Sequence, residues 1–338
     1  MWNSLYYALI DALQYGLPYA MLALGVFITY RQLDIADLGC EGTFTLGGAV
    51  VGVLVIKSLN PFLALFIGIL AGFLAGVVTG LLHTKLKIPA LLSGIITLTG
   101  LFSINMVIMG GGNRTTEDKG FFARLFENYN ATIYLNGKNT SGDKVQTIYT
   151  LFQKLLNSIF GGTVNYTLCV IIMNVLLVAL AIIILYLFFG TEVGMSIRST
   201  GMNPLMSRAQ GINTTLMIIL GLGISNALIA LGGAMFTQVN KSASNTMGVG
   251  TIVIGLASII IGEAIFGKRT FKNWLLSVTA GAIIYYLIIA IALALKLPNH
   301  YLKLLYAILI IIVLVVPHIK KLIKPNDKKR GKVNVGNN

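Results

Sequence analysis

The residues that come nearest to a chemical motif are Gly262, Gly267 and Lys268, in "GEAIFGKR". They match the first part of a phosphate-binding loop, Gly-x-x-x-x-Gly-Lys, whose next residue should be Ser or Thr to hold magnesium. Here it is Arg269, and the motif ends an apolar run instead of joining a strand to a helix. Nucleotide binding is therefore not expected, and any ATP and Mg must belong to a separate chain. The three histidines, His83, His300 and His318, are scattered, and Cys40 and Cys169 sit in apolar surroundings without metal or redox spacing. No nucleophile, base and orienter come together. The sequence points to no catalytic residues, no metal site and no enzyme.

Two polar stretches remain. "RQLDIADLGCEGTFTLGGAV" (Arg31–Val50) carries four charges within eleven residues between two apolar runs. Ionisable groups near membrane depth are costly and normally face a cavity or one another. Glycine-rich, broken helices line substrate paths in several transporter folds. Candidate path residues are Asp37, Glu41, Thr43 and Thr45 here, with Asn105 and Asn226 inside later apolar runs. The plain alternative is an interfacial turn in which Arg31 pairs with Asp34. Glu263 is expected to pair locally with Lys268 and Arg269. Threonines and serines within apolar runs, such as Thr97, Thr99 and Ser225, usually bond their own helix backbone.

The second stretch, "RSTGMNPLMSRAQGIN", carries start and stop signals for a very short helix. Asn203 is a good N-cap, Pro204 suits the first helical position, and Gly211 can adopt the left-handed conformation that ends a helix. Isolated helices under roughly 12 residues are marginal in water, so this one needs something to lean on. Arg208 would offer a charged contact.

The rest of the chain must position these residues. Of 338 residues 56% are hydrophobic and only 11% charged, with a mean hydropathy of +0.83. A soluble domain would carry about a quarter charged residues. The apolar runs reach about 20 residues, enough to cross a ~30 Å hydrocarbon layer as a helix. Strand-type alternation is absent. The fold class is all-α, a polytopic helical membrane protein of about nine spans: 5–30, 39–57, 62–83, 90–109, 164–190, 214–237, 249–267, 274–295 and 303–318.

The net charge of +14 reflects membrane topology and not nucleic acid. The tail "HIKKLIKPNDKKRGK" holds seven basic residues against Asp327 alone, which puts the C-terminus in the cytoplasm and, with nine crossings, the N-terminus outside. The same choice places Arg31, Lys85, Lys87, Arg198, Arg208, Lys268, Arg269 and Lys272 inside. The chain divides into an integral domain, 1–318, with an external insertion at 110–163, and a basic cytoplasmic tail, 319–338. Within the insertion, Ile148, Phe152, Leu155 and Ile159 share one face of a surface helix. Gly68, Gly72, Gly76 and Gly80 recur every four residues, a stripe along which another helix can approach closely in a lipid bilayer.

"GMNPLMSRAQGINTT" resembles the cytoplasmic coupling segment of bacterial ABC importer permeases, roughly Gly-x-Asn-x-x-x-Ala/Ser-x-x-x-Gly-Ile. Gly201, Asn203, Ser207, Gly211 and Ile212 fit that pattern. "LPYAMLALGVFITYRQLDIADLGCEGTFTLGGAV" and "GLGISNALIALGGAMFTQVNKSASNTMGVGTIVIGLASIIIGEAIFG" look like two blocks of the branched-chain amino acid and ribose permease group. "DLGCEGTFTLGGAV" is most similar to its tryptophan/tyrosine-type members, although 110–163 is longer than is usual there. The resemblance implies the membrane subunit of an ABC importer in a bacterial cytoplasmic membrane, probing no chemistry of its own. It implies a homodimer with the path on the two-fold axis, a cytoplasmic ATPase that binds ATP and Mg, and an external substrate-binding lipoprotein. Gly201, Asn203, Pro204, Ser207, Arg208 and Gly211 would then couple the chain to the ATPase. An aromatic or other small amino acid is the implied cargo, with a sugar, nucleoside or branched-chain amino acid as alternatives. A stand-alone secondary transporter or channel is the rival from composition alone.

Overall fold

The computed structural model describes residues 2–110, 132–135, 145–160 and 164–294. Helix α1 (Trp2–Phe27) runs into a wider π-helical turn, Ile28–Gln32, and is followed by α2 (Gly39–Ile56), α3 (Pro61–Thr84) and α4 (Ala90–Gly110). A short strand β1 (Thr132–Tyr134) and helix α5 (Ile148–Phe160) precede α6 (Tyr166–Phe189). Then come α7 (Glu192–Met202), α8 (Pro204–Ala209) and α9 (Thr214–Asn240), strand β2 (Ser242–Ser244), α10 (Thr251–Phe266) and α11 (Phe271–Ala294).

Seven helices are long and apolar enough to cross a membrane: Leu9–Gln32 together with α2, α3, α4, α6, α9 and Phe271–Ile291. Helix α10, with 16 residues, is a shorter apolar helix. Eight of the nine expected intervals thus fall on helices, and the count of nine is not reached among the described residues. The expected span 303–318, the tail 319–338 and most of 110–163 lie outside them.

Helices α1, α2 and α9 are sheathed by the others, and their side chains make the main apolar core, including Met21, Leu22, Phe27, Phe44, Leu222 and Ile229. The glycine stripe explains how α3 gets so near. A Cβ on Gly72 would strike the Asn226 carbonyl and Ala230, one on Gly76 the Leu222 carbonyl, and one on Gly80 Ile219, all on α9. Gly68 instead meets Val51 of α2. Backbones in such contact gain dispersion that larger side chains would prevent. The outer faces of α3, α4 and α6 carry exposed Leu, Ile and Phe, with Leu74 62% and Leu187 64% exposed, as suits contact with membrane lipid.

Three local features depart from the sequence expectations. A two-stranded antiparallel sheet pairs Thr132 with Ser244 and Tyr134 with Ser242, tying the insertion to the chain after α9. Three-residue strands are too short to leave an alternating pattern. Residues 192–202, without an expected element, form α7, because Thr191 caps it by accepting from Gly194 N–H. Helix α5 forms where expected, but its N-terminal turn is the anchored part. Ile148 N–H donates to Gln238 Oε1 at 2.8 Å and buried Tyr149 donates to Asn174 Oδ1 at 2.6 Å, while Leu155 and Ile159 are exposed. The first half of the expected apolar face, Ile148 with Phe152, packs into the main core beside these polar pairs, and only its second half is left exposed.

Candidate functional site

At the end of the bundle that carries Arg31, Arg198, Arg208 and Lys268, α7 and α8 form a hook outside the spans. Asn203 ends α7 and starts α8: its side chain accepts from Met206 N–H at 3.1 Å, and Pro204 occupies the first helical position. Gly211 follows with φ +83°, the left-handed conformation that glycine adopts without penalty. The buried Ser207 hydroxyl donates to the Asn203 carbonyl at 3.0 Å. Arg208 is exposed, yet its Nε donates to Thr214 Oγ1 at 2.8 Å, so it also ties α8 to the first turn of α9. Met202, Leu205 and Met206 are 87%, 78% and 58% exposed. The hook therefore shows water a small apolar face on a helix of six residues.

Gly201 faces the other way. A Cβ there would overlap the Gln32 carbonyl and crowd the Leu33 backbone. Leu33 is in turn packed against Ile197 of α7 and Gly221 of α9. The hook is thus seated on the turn that ends α1, at the wider π-helical stretch where Leu33 N–H bonds Ile28 O and Ile35 N–H bonds Thr29 O. Such π turns break the regular helical register.

The charged elbow continues from there. Asp34 holds a left-handed φ of +56°, uncommon outside glycine. Buried Asp37 accepts from Gly39 N–H at 2.8 Å through Oδ1 and from the Asn226 amide at 2.9 Å through Oδ2. Burial pushes its carboxyl above the usual range, and these two donors pull partly against that. Gly94 of α4 packs on the Leu38 and Gly39 amides, and Thr79 of α3 shares a hydrogen bond with Thr97 of α4. Asp37 and Asn226 are therefore brought together as a pin between elbow and α9.

The other path candidates are placed as follows. Thr43 and Thr45 are buried and donate to the Gly39 and Glu41 carbonyls, the local back-bonding expected of threonine in helices. Asn105 is buried and donates to the Gly42 carbonyl at 3.0 Å. Glu41 alone of the six keeps partial exposure; its Oε1 accepts from Gly250 N–H at 2.9 Å.

Two ion-pair expectations are corrected. Arg31 bonds Glu263 at 2.5 Å instead of Asp34, and Glu263 takes Arg31 and the Trp274 indole N–H at 2.8 Å instead of Lys268 and Arg269. Lys268 lies over the Trp274 ring, and Gly267 ends α10 with φ +75°, so the phosphate-loop lookalike is a helix terminus. A contact 232 residues apart in sequence left no local signal. Among the described residues no group of three or more His, Cys, Asp and Glu could hold a metal ion.

Seven apolar spans packed through glycine define a multi-pass helical protein of the membrane, with a hook of two short helices outside it. Residues 8–314 match the family described as branched-chain amino acid transport system / permease component, and the chain belongs to that family. It is 34% identical over 96% of its length, and 97% of the relative's, to the tyrosine transport system permease protein of Clostridioides difficile. An uncharacterised protein of Rickettsia prowazekii is 30% identical over 90% of this chain and 95% of that one. A nucleoside ABC transporter permease of Lactococcus lactis is 24% identical over 79% and 77% of the two chains. The chain is therefore a multi-pass membrane subunit of an ABC importer, a transport protein in the cytoplasmic membrane whose family implies an ATPase partner.

Proposed function

We propose that the chain forms the translocation path of an importer for an aromatic amino acid and takes its drive from an ATPase seated on α7–α8. The exposed apolar face made by Met202 at the end of α7 and by Leu205 and Met206 on the self-capped α8 carries this reading. Large apolar side chains outside the spans favour burial, and a two-turn helix needs a docking partner. The sequence orientation puts this end in the cytoplasm, where the ATPase would bind ATP and Mg. Asn203, Pro204, Ser207 and Gly211 build the hook, Arg208 edges it, and Gly201 roots it. Two copies of the chain would enclose the path, and an external substrate-binding lipoprotein would deliver the cargo. The tyrosine permease relative supports an aromatic amino acid; the more distant nucleoside permease supports a nucleoside as the second reading.

Affinity purification of the tagged protein from native membranes, with mass spectrometry of its companions, tests this. Wild type should bring an ATPase and a lipoprotein, and Leu205→Glu with Met206→Glu should lose the ATPase alone. Wild type that brings no ATPase in mild detergent would sink the coupling assignment and favour a stand-alone transporter.

A further inference from the structure

After α9 the chain turns back along α2 without forming a helix. Lys241 reverses it with φ +53°. Ala243 packs on Ala49 and Gly52 of α2, the Met247 methyl reaches Gly48, and Gly248 sits on the Glu41 carbonyl and Thr45 hydroxyl with no room for a Cβ. From Gly52 back to Glu41 is about 16 Å of helix at 1.5 Å per residue. Only then does α10 begin, and its 16 residues cover about 24 Å. That falls short of a ~30 Å hydrocarbon layer. The non-helical stretch supplies the missing depth.

Irregular backbone at membrane depth is tolerated only where it is packed in protein or lines a water-filled cavity. One side of 245–250 is packed against α2. The other side is not covered by the described residues: Thr246 is exposed, Val249 is 63% exposed, and Val253 on the first turn of α10 is 41% exposed. The backbone there makes isolated turn bonds, Met247 N–H to Ser244 O at 3.1 Å and Val249 N–H to Thr246 O at 3.2 Å. Asn245 is 3% exposed, and neither its amide oxygen nor its nitrogen has a partner among the described residues. Beside this stretch lies the partly exposed Glu41, which no Lys or Arg among the described residues pairs. A carboxylate within a span marks a functional pathway more often than a packing site.

We propose that Asn245–Gly250 and Glu41 form one wall of the water-filled translocation path, and that Glu41 makes this wall selective for solutes bearing an ammonium group. The proposal rests on the chain being a transport subunit and does not depend on which ATPase drives it. A fixed carboxylate in a low-dielectric cleft concentrates cations. The Gly250 N–H holds that carboxylate in place, so the solute meets it at a set position on the wall.

The test uses the full chain in proteoliposomes and small charged thiol reagents, a cationic and an anionic methanethiosulfonate. Thr246→Cys and Val249→Cys are compared with lipid-facing Leu180→Cys, and wild type, whose Cys40 and Cys169 are buried, sets the background. The two path variants should react at least about tenfold faster than Leu180→Cys, and the cationic reagent should lead. Glu41→Gln, which keeps an acceptor for Gly250, should cut the cation preference about tenfold, while Glu41→Asp keeps it. Reaction at Val249→Cys no faster than at Leu180→Cys overturns the wall. An unchanged cation preference in Glu41→Gln reduces Glu41 to a helix cap. Neither result depends on the ATPase, so loss of co-purification and loss of this wall are separate failures.

Discussion

The Asn226 amide donates to Asp37 Oδ2 at 2.9 Å across 189 residues of sequence, while the other Asp37 oxygen holds the first amide of α2. One carboxylate thus fixes where α2 starts and where it stands against α9. The Asn226 carbonyl oxygen of the side chain has no partner among the described residues. Asp37→Asn should cost less than Asp37→Ala, because its side-chain oxygen can still accept from Gly39 N–H, while the Asn226 amide is held in its present orientation by a second bond to the Leu222 carbonyl at 3.0 Å. Asp37→Ala should cost about 1–3 kcal/mol, since it strands two buried donors. Thermal melts of the detergent-purified variants separate the two cases.

Protonation of the same group gives a pH dependence with a definite sign. Burial raises the folded-state affinity of Asp37 for its proton above that of the unfolded chain. The folded state then binds more protons, so stability falls as pH rises from the unfolded value through the folded one. The melting temperature of wild type should decline across that acidic window more than that of Asp37→Asn. Equal slopes for the two proteins would show that Asp37 is not the group responsible.

Arg31 and Glu263 join the end of α1 to the end of α10, and the Trp274 indole shares the carboxylate. Removing one charge leaves the other part-buried: the two side chains are 30% and 13% exposed. Glu263→Ala should cost about 1.5–3 kcal/mol, the range for hydrogen bonds to charged groups. Arg31→Glu combined with Glu263→Arg should recover part of the loss. A double-mutant cycle on melting temperature measures that recovery, and strict additivity would mean that the pair is not coupled.

The spans were legible because a helix in lipid must be apolar along its whole length, and the capped α8 because Asn203, Pro204 and Gly211 are local signals. The glycine stripe was legible as a surface, but its partner was not: nothing in α3 says that α9 fills it. The Asp37–Asn226 pin and the Arg31–Glu263 pair were illegible for the same reason, since their members lie 189 and 232 residues apart. Asp37, Glu41 and Asn226 could be singled out as costly polar groups in apolar surroundings. Which of them is a structural pin and which stays open to solute depended on the neighbours that folding supplies. The descent at 245–250 carried no warning, because the apolar interval 249–267 is long enough in sequence to read as an ordinary span.

The stripe itself gives a stability prediction. At Gly76 an added Cβ would overlap the Leu222 carbonyl, which is backbone and cannot rotate away. Gly76→Ala should destabilise the bundle by about 1–3 kcal/mol through forced separation of α3 and α9. Gly100 on α4, where an added Cβ meets nothing within 4 Å, is the control. Gly100→Ala should be neutral or slightly stabilising, as alanine is the better helix former. Equal melting temperatures for the two variants would mean that α3 and α9 are not in backbone contact.

Gly201 permits the close seat of α7 on Gln32, and this makes a prediction about coupling instead of stability alone. An exposed hook can bind an ATPase with its outer face intact even when its root is displaced. In Gly201→Ala the added methyl pushes α7 off the turn after α1, so binding at Leu205 and Met206 persists while motion no longer reaches the elbow. The ATPase should still co-purify, and ATP hydrolysis should continue, while solute moved per ATP drops at least about tenfold. A cysteine pair at Leu33 and Ile197, which are already in one packed cluster, supplies the complementary test. If the joint moves as one body, cross-linking it leaves transport intact; transport arrested by that cross-link would show that the hook slides on the turn and that Gly201 is not a rigid seat.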